Sequence, residues 1–348
     1  MNLIDLCERG YVPDRLTRIG MRRLIAQRLR DERRRDTPAA RAAWLATLRA
    51  SPIAIDTGAA NEQHYEVPPD FFAMHLGPCL KYSCCLYADE SASLAAAEEA
   101  MLSLYAERAG LRDGQRILDL GCGWGSLSLW LARRYPRAQI VGLSNSAGQR
   151  EFILNRAREA GLRNLRIVTG DIADFDFTAD GLGGGFDRVL SIEMFEHMRN
   201  YQRLFAKIAR WLRADGQLFV HIFAHRELRY PFEERDASDW MTRHFFRGGQ
   251  MPSFDLLAQF QDDLRLDAQW WLPGTHYART AEDWLAALDA RRDEARRLFA
   301  RTHGARQAAI AVQRWRMFYM AVAELFGYAG GDEWGVAHYR FVPRGVAA

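Results

Sequence analysis

Apolar residues recur at three- and four-residue spacing through "DRLTRIGMRRLIAQRLRDERRRD", with arginines between them, which predicts an amphipathic helix. "DTPAARAAWLATLRAS" predicts a second helix with Pro38 near its start. "SLAAAEEAMLSLYAERAG" predicts a third, closed by Gly110 as a C-cap. Between the last two, "NEQHYEVPPDFFAMHLGPCLKYSCCLY" mixes aromatic and polar residues without a period, as in a loop that closes over a ligand.

From residue 115 the pattern changes. Short apolar runs ("QRILDL", "AQIVGLS", "LRIVTGD", "FDRVLSI", "GQLFVHIFAH") alternate with helical stretches such as "SLSLWLARRYP" and "AGQREFILNRAREAG". Regular strand–helix alternation predicts an α/β fold with a doubly wound, Rossmann-like parallel sheet. The alternation stops near residue 226. From there to about 330 the chain reads as mainly helical, and "EWGVAHYRFVP" reads as a closing strand. The expected organisation is a helical N-terminal region at 1–108, an α/β core at 109–225 and a helical insertion at 226–330. A final strand at 331–348 would return to the core, leaving the insertion over the sheet's C-terminal edge.

Composition narrows the class without naming it. The 348 residues are 49% hydrophobic and 26% charged, ordinary for a globular enzyme, and the net charge of +3 calls for no nucleic-acid partner. The five cysteines form no pair of CxxC motifs and are odd in number, so a reducing compartment is expected and a metal is not. No apolar run approaches membrane-spanning length and the N-terminus lacks a signal-peptide core, which leads to the expectation of a cytoplasmic protein. The basic helix admits two readings: peripheral contact of residues 22–35 with an anionic membrane, or a solvated face packed on the domain. A homodimer stays open.

"ILDLGCGWG" joins a strand to a glycine loop, with Asp119 before Gly121, Gly123 and Gly125. Glycine permits sharp turns and close approach of backbone to ligand, and the next helix offers free N–H groups. Dinucleotide binders place an acidic residue after the second strand. Here that strand ends "GLSNS", with no carboxylate, which favours S-adenosylmethionine (AdoMet) instead. Asp171, after the third strand, suits an adenine contact or a helix N-cap equally. After the fourth strand, "SIEMFEHM" places Glu193, Glu196 and His197 within five positions. They read either as an acid–base site or as carboxylates at a helix start; a helix running on from the strand would put 193 and 197 on one face.

Taken together, "YVPDRLTR", "KYSCCLY", "LDLGCGWG", "GLSNS", "SIEMFEHMRNYQ", "HIFAH" and "ELFGYAGGDEWGVAH" resemble the cyclopropane-fatty-acid-synthase superfamily of AdoMet-dependent transferases. The resemblance is greatest to its coclaurine-type N-methyltransferase branch. It implies a class I methyltransferase fold with AdoMet as cofactor, and a small-molecule amine, tetrahydroisoquinoline-like, as acceptor. It also implies that Tyr82 and Ser83 close on AdoMet, that Gly121 and its neighbours hold the methionine part, and that Asn145, Gln149 and Ile172 meet the nucleoside. Glu193, Glu196 and His197 would then lie at the acceptor, where a carboxylate holds an ammonium and a neutral imidazole accepts its proton. The lipid-modifying branch methylenates a double bond with a bound bicarbonate held by residues matching Cys84, Glu196, His221 and Tyr277. All four are present, so lipid chemistry remains the alternative. Glu193, where that branch has a small residue, favours the amine.

Overall fold

Each short apolar run becomes a strand whose successive side chains enter different cores, as the two-residue period of a pleated strand requires. In the computed structural model, which describes residues 3–55, 67–178, 183–236 and 239–345, Ile117 packs with Ile140, Leu190 and Phe219 on one face. Its neighbour Leu118 packs with Val141, Val189 and Leu218 on the other. All are buried.

The chain opens with helices α1 (Leu3–Glu8), α2 (Asp14–Arg35), α3 (Pro38–Ala50), α4 (Pro69–His75) and α5 (Leu94–Arg108). The alternating part follows: β1 (Arg116–Leu120), α6 (Ser126–Arg134), β2 (Gln139–Ser144), α7 (Ala147–Glu159), β3 (Leu165–Thr169), β4 (Phe186–Ile192), α8 (Tyr201–Trp211) and β5 (Leu212–His225). The remainder holds a small ladder of β6 (Tyr230–Pro231) with β7 (Gln250–Met251), and α9 (Trp240–Phe245) between them. It continues with β8 (Leu264–Pro273), α10 (Thr275–Ala290), α11 (Arg292–His303), α12 (Ala305–Phe326) and β9 (Trp334–Pro343). The sheet order is β3-β2-β1-β4-β5-β9-β8; the first five strands pair in parallel, and β9 pairs antiparallel with both β5 and β8. The closing strand does return, inserted antiparallel beside β5.

The stretch 226–330 is not only helical. It contributes β8, the edge strand, whose alternation "LRLDA" lies unannounced between helical segments. Arg108 and Arg340 both lie over the ring of Trp270 on this strand and cover its exposed side.

Helix α2 is tied to the insertion. Arg18 and Arg22 pair with Glu324, Arg28 with Asp239 and Glu32, and Arg33 with Glu333. These arginines tie the helix to the rest of the chain, while Arg34 and Arg35 stay more than half exposed and pair only within the helix. Among the described residues no helix is long and apolar enough to cross a membrane. Part of the aromatic loop expected to close over a ligand, residues 61–66, lies outside the described residues.

Candidate active site

The glycine loop follows the C-terminal end of β1, at the sheet's central crossover, where doubly wound folds bind ligands. Gly121 has φ +82, and a Cβ there would sit 2.8 Å from Met194 Cγ. Gly125, also left-handed at φ +82, caps α6, and a Cβ there would come within 2.6 Å of Ile153. A Cβ on Gly123 would meet nothing within 4 Å, because that position faces a cleft. Asp119, next to last in β1, is buried, and Ser128 donates to its Oδ2 at 2.7 Å. Burial pushes its carboxyl up to about 6.

Two cavities meet at this loop, sharing Gly121, Gly123, Glu193 and His197. One, of about 90 Å³, is lined by Asn145, Gln149, Asp171 and Ile172. The other, of about 120 Å³, is lined by Tyr82, Ser83, Asp119, Ser126, Glu196 and Tyr277. Every residue expected to meet AdoMet lines one of the two. Gln149 Nε2 and Ser126 Oγ are buried without a partner in the protein, donors ready for a polar ligand. The adjoining clefts, a loop stripped of Cβ atoms and these donors fit AdoMet: the nucleoside beside Gln149 and Ile172, the methionine part along Gly121–Ser126. Asp171 also serves its turn, accepting from Ala173 N–H at 2.8 Å.

Glu193, Glu196 and His197 do converge, but not on a helix face. Glu193 follows β4 directly in the left-handed region, φ +47, and residues 195–197 form a single 3₁₀ turn. A non-glycine residue there costs on the order of 1 kcal/mol. Surrounding bonds hold it: Glu193 N–H donates to His221 O at 2.9 Å, continuing the β4–β5 ladder. Three donors grip its carboxylate. Cys84 N–H lies 3.0 Å and His221 Nε2 3.1 Å from Oε1, while the Tyr277 hydroxyl donates to Oε2 at 2.6 Å.

Glu196 contrasts with this. It is buried, and its Oε2 has no partner in the protein. Burial first, then the neighbouring Glu193, raise its carboxyl well above the usual range. Glu193 is also raised by burial, but Lys81, Tyr277 and the Cys84 N–H oppose the rise. His197 stacks on Phe246, ring centroids 6.4 Å apart.

Of the four residues matched to bicarbonate binding, Cys84, His221 and Tyr277 are otherwise engaged and only Glu196 keeps an unpartnered oxygen. Cys84 offers its backbone N–H, and its thiol, 3.3 Å from Cys85 O, is pushed well up by burial. His221 lies within β5 rather than at its end, and its imidazole, like Tyr277, is bonded to Glu193. A bicarbonate here would compete with Glu193 for these donors and set a further anion beside two carboxylates. The residues do not fit it.

Lys81 escaped the motif reading. Fully buried, its ammonium donates to Ser83 Oγ at 2.5 Å and Cys84 O at 2.7 Å. It supports the loop that grips Glu193; the "KYSCC" run was its only signal. A third cavity, of about 730 Å³, reaches Phe223, Phe246 and Tyr277, which also line the 120 Å³ cleft. Its walls come from α1, α2, the 230–251 segment and α12, with Met21, Ile25, Trp240, Met317 and Leu325 among them. Leu3, Leu16 and Leu24 stand exposed along its outer side. Among the described residues no cluster of His, Cys, Asp and Glu could hold a metal ion.

Residues 55–327 match the family model described as mycolic acid cyclopropane synthetase. An (S)-coclaurine N-methyltransferase of Thalictrum flavum subsp. glaucum is 40% identical, over 85% of this chain and 81% of that protein. A pavine N-methyltransferase of the same plant is 33% identical, over 98% of this chain and 96% of that protein. The crystal structure of a coclaurine N-methyltransferase bound to N-methylheliamine and SAH superposes with a TM-score of 0.92 at 36% identity, covering 98% of both chains.

Proposed function

The chain belongs to the mycolic acid cyclopropane synthetase family and is an AdoMet-dependent N-methyltransferase of small-molecule amines; from that premise we propose that its acceptor is a bulky, largely apolar amine of the tetrahydroisoquinoline kind, its nitrogen held by Glu196. One observation carries this reading. A buried carboxylate oxygen without a partner lines the glycine-loop cleft, which shares Phe223, Phe246 and Tyr277 with a large apolar cavity. Burying such a group is costly unless a cation or donor meets it. An ammonium whose substituents lie in the apolar cavity completes it.

AdoMet supplies an electrophilic methyl group on a sulfonium. The chain's own residues must align the nitrogen and take its proton. Glu196 holds the incoming ammonium, and His197, one residue on and lining both clefts, accepts the proton that frees the lone pair. Glu193, fixed by its three donors, keeps negative charge beside the nitrogen as the N–C bond forms and the amine becomes cationic again. The saturated donors of Glu193 weigh against lipid methylenation through bicarbonate. The five cysteines are free, which supports a reducing, cytoplasmic setting.

The test uses methyl-labelled AdoMet with tetrahydroisoquinolines, compact aliphatic amines and unsaturated phospholipid vesicles in parallel. Label in the tetrahydroisoquinolines, well ahead of the compact amines, is expected. Label in the vesicles instead would overturn the proposal.

A further inference from the structure

The sheet register sets two buried imidazoles side by side. His221 on β5 and His338 on β9 are direct partners in the antiparallel pair, and neither is exposed. His338 Nε2 lies 2.8 Å from His221 Nδ1. On the far side, Arg108 Nη1, at the end of α5, lies 2.6 Å from His338 Nδ1. On the near side, His221 Nε2 meets Glu193 Oε1. These contacts form one line from Arg108 to the site.

A proton inventory gives that line a direction. A guanidinium only donates and keeps its protons at any working pH. His338 Nδ1 must therefore be the bare nitrogen, and a neutral His338 carries its proton on Nε2. That proton points at His221 Nδ1, which must accept. His221 then carries its own proton on Nε2, aimed at Glu193. The Tyr105 hydroxyl, 3.0 Å from the same Nδ1, can donate to it and so favours the same tautomer. Burial pushes both imidazoles well below their usual range, so neither is charged.

We propose that Arg108 and His338 are positioning residues for methyl transfer: the guanidinium sets the tautomer of His338, and through it that of His221, so that His221 always presents an N–H to Glu193. This rests on the role proposed for Glu193. Without the guanidinium His338 can reverse, and its bare Nε2 would then face His221 Nδ1, opposing the tautomer that the Tyr105 hydroxyl favours and admitting a reversed His221 as well. His221 would then turn a lone pair toward the Glu193 carboxylate, which would repel it and favour a protonated or displaced Glu193. Neither Arg108 nor His338 touches the acceptor. The other ionisable groups facing Glu193 are Lys81, Cys84, Cys85, Tyr105, Glu196 and Tyr277; those facing the imidazole pair are Lys81 and Tyr105. None of them supplies the proton that Arg108 directs at His338 Nδ1.

The test combines nitrogen-15 NMR of histidine-labelled protein with steady-state kinetics on the best amine found. In the wild type, His221 and His338 should both show the Nε2–H tautomer. Arg108→Met keeps the stem over Trp270 but removes the donor. It should leave His338 in mixed tautomers, lower kcat roughly 10- to 100-fold with KM changed little, and move the acid limb of the pH profile. Arg108→Lys, which restores a cationic donor, should recover most of the loss, and His338→Gln should resemble Arg108→Met. An Nδ1–H tautomer for His221 in the wild type would overturn the proposal. So would an Arg108→Met enzyme with unchanged tautomers and kcat while Glu193→Gln is impaired. Full activity in Glu193→Gln would remove the premise, and the proposal with it.

Discussion

The two halves of the active site differ in construction. The AdoMet cleft is built mainly from consecutive pieces of chain, β1 and its glycine loop, the end of β2, and the turns after β3 and β4, with the 80–83 segment and Tyr277 closing one side. Its cavities are small, about 120 and 90 Å³, and rich in polar groups. The acceptor cavity is several times larger, about 730 Å³, largely apolar, and assembled from α1, α2, the 230–251 segment and α12. A tight polar cleft suits one invariable cofactor, whereas a roomy apolar cavity selects by size and hydrophobicity, a coarser kind of recognition. The chemistry lies near the seam, where Glu193 follows directly on β4 and Glu196 lines the cleft that shares Phe223, Phe246 and Tyr277 with the acceptor cavity.

That contrast can be broken most forcefully at the seam. Glu196→Gln removes the anion offered to the acceptor and should lower kcat/KM for the amine by roughly 10²- to 10³-fold, with AdoMet affinity in calorimetry nearly unchanged. An equal loss of AdoMet binding would show that the two halves are not separable. Gly121→Ala strikes the cofactor side alone. Its Cβ would meet Met194 at φ +82, so AdoMet affinity should fall about tenfold or more, with a cost in stability of about 1–3 kcal/mol seen as a lower Tm.

A subtler probe is Val322→Phe, which fills part of the acceptor cavity at a buried wall position. The ratio of kcat/KM for a benzyl-substituted amine over a compact one should drop about tenfold, leaving AdoMet affinity alone. An unchanged ratio would place the acceptor elsewhere.

The smallest effect concerns stability against acid. Burial pushes His75 down to about 3 and His225 to about 4 from an ordinary 6.5, and lowers His221 and His338 well below it. The unfolded chain then binds protons that the folded chain refuses. Their stabilising effect is complete above about pH 6.5 and is lost as pH falls toward 4 and then 3. Glu193 and Glu196, raised by burial, act in the opposite sense and reduce the net slope. Urea titrations between pH 7 and 4 should show ΔG falling by about 1 kcal/mol per pH unit. A flat profile would mean that the buried imidazoles take up protons without cost.

How much of this was legible follows the same division. The glycine loop, "GLSNS" and "SIEMFEH" lie contiguous in the chain, because parallel strands deliver their loops to one edge, and so their residues could be named from motifs. The geometry at Glu193 was misread, since nothing in "SIEMFEHM" announces a left-handed residue and a 3₁₀ turn instead of a helix. Strand β8 was missed because "LRLDAQWWLP" alternates for only a few residues amid helical neighbours. Lys81 showed only as part of a motif. His338 and Arg108 act through the pairing of β9 with β5, which brings positions 117 residues apart into contact. No local period encodes that. The acceptor cavity was invisible for the same reason: its walls are long-range contacts.

The central claim is that Glu196 receives the amine nitrogen at the junction of the two halves. A crystal structure with S-adenosylhomocysteine and an N-methylated tetrahydroisoquinoline tests it most directly. The account predicts the nitrogen about 3 Å from a Glu196 carboxylate oxygen, with the ring system in the cavity between α2 and α12. A nitrogen resting away from Glu196, with that carboxylate still unpartnered, would contradict it.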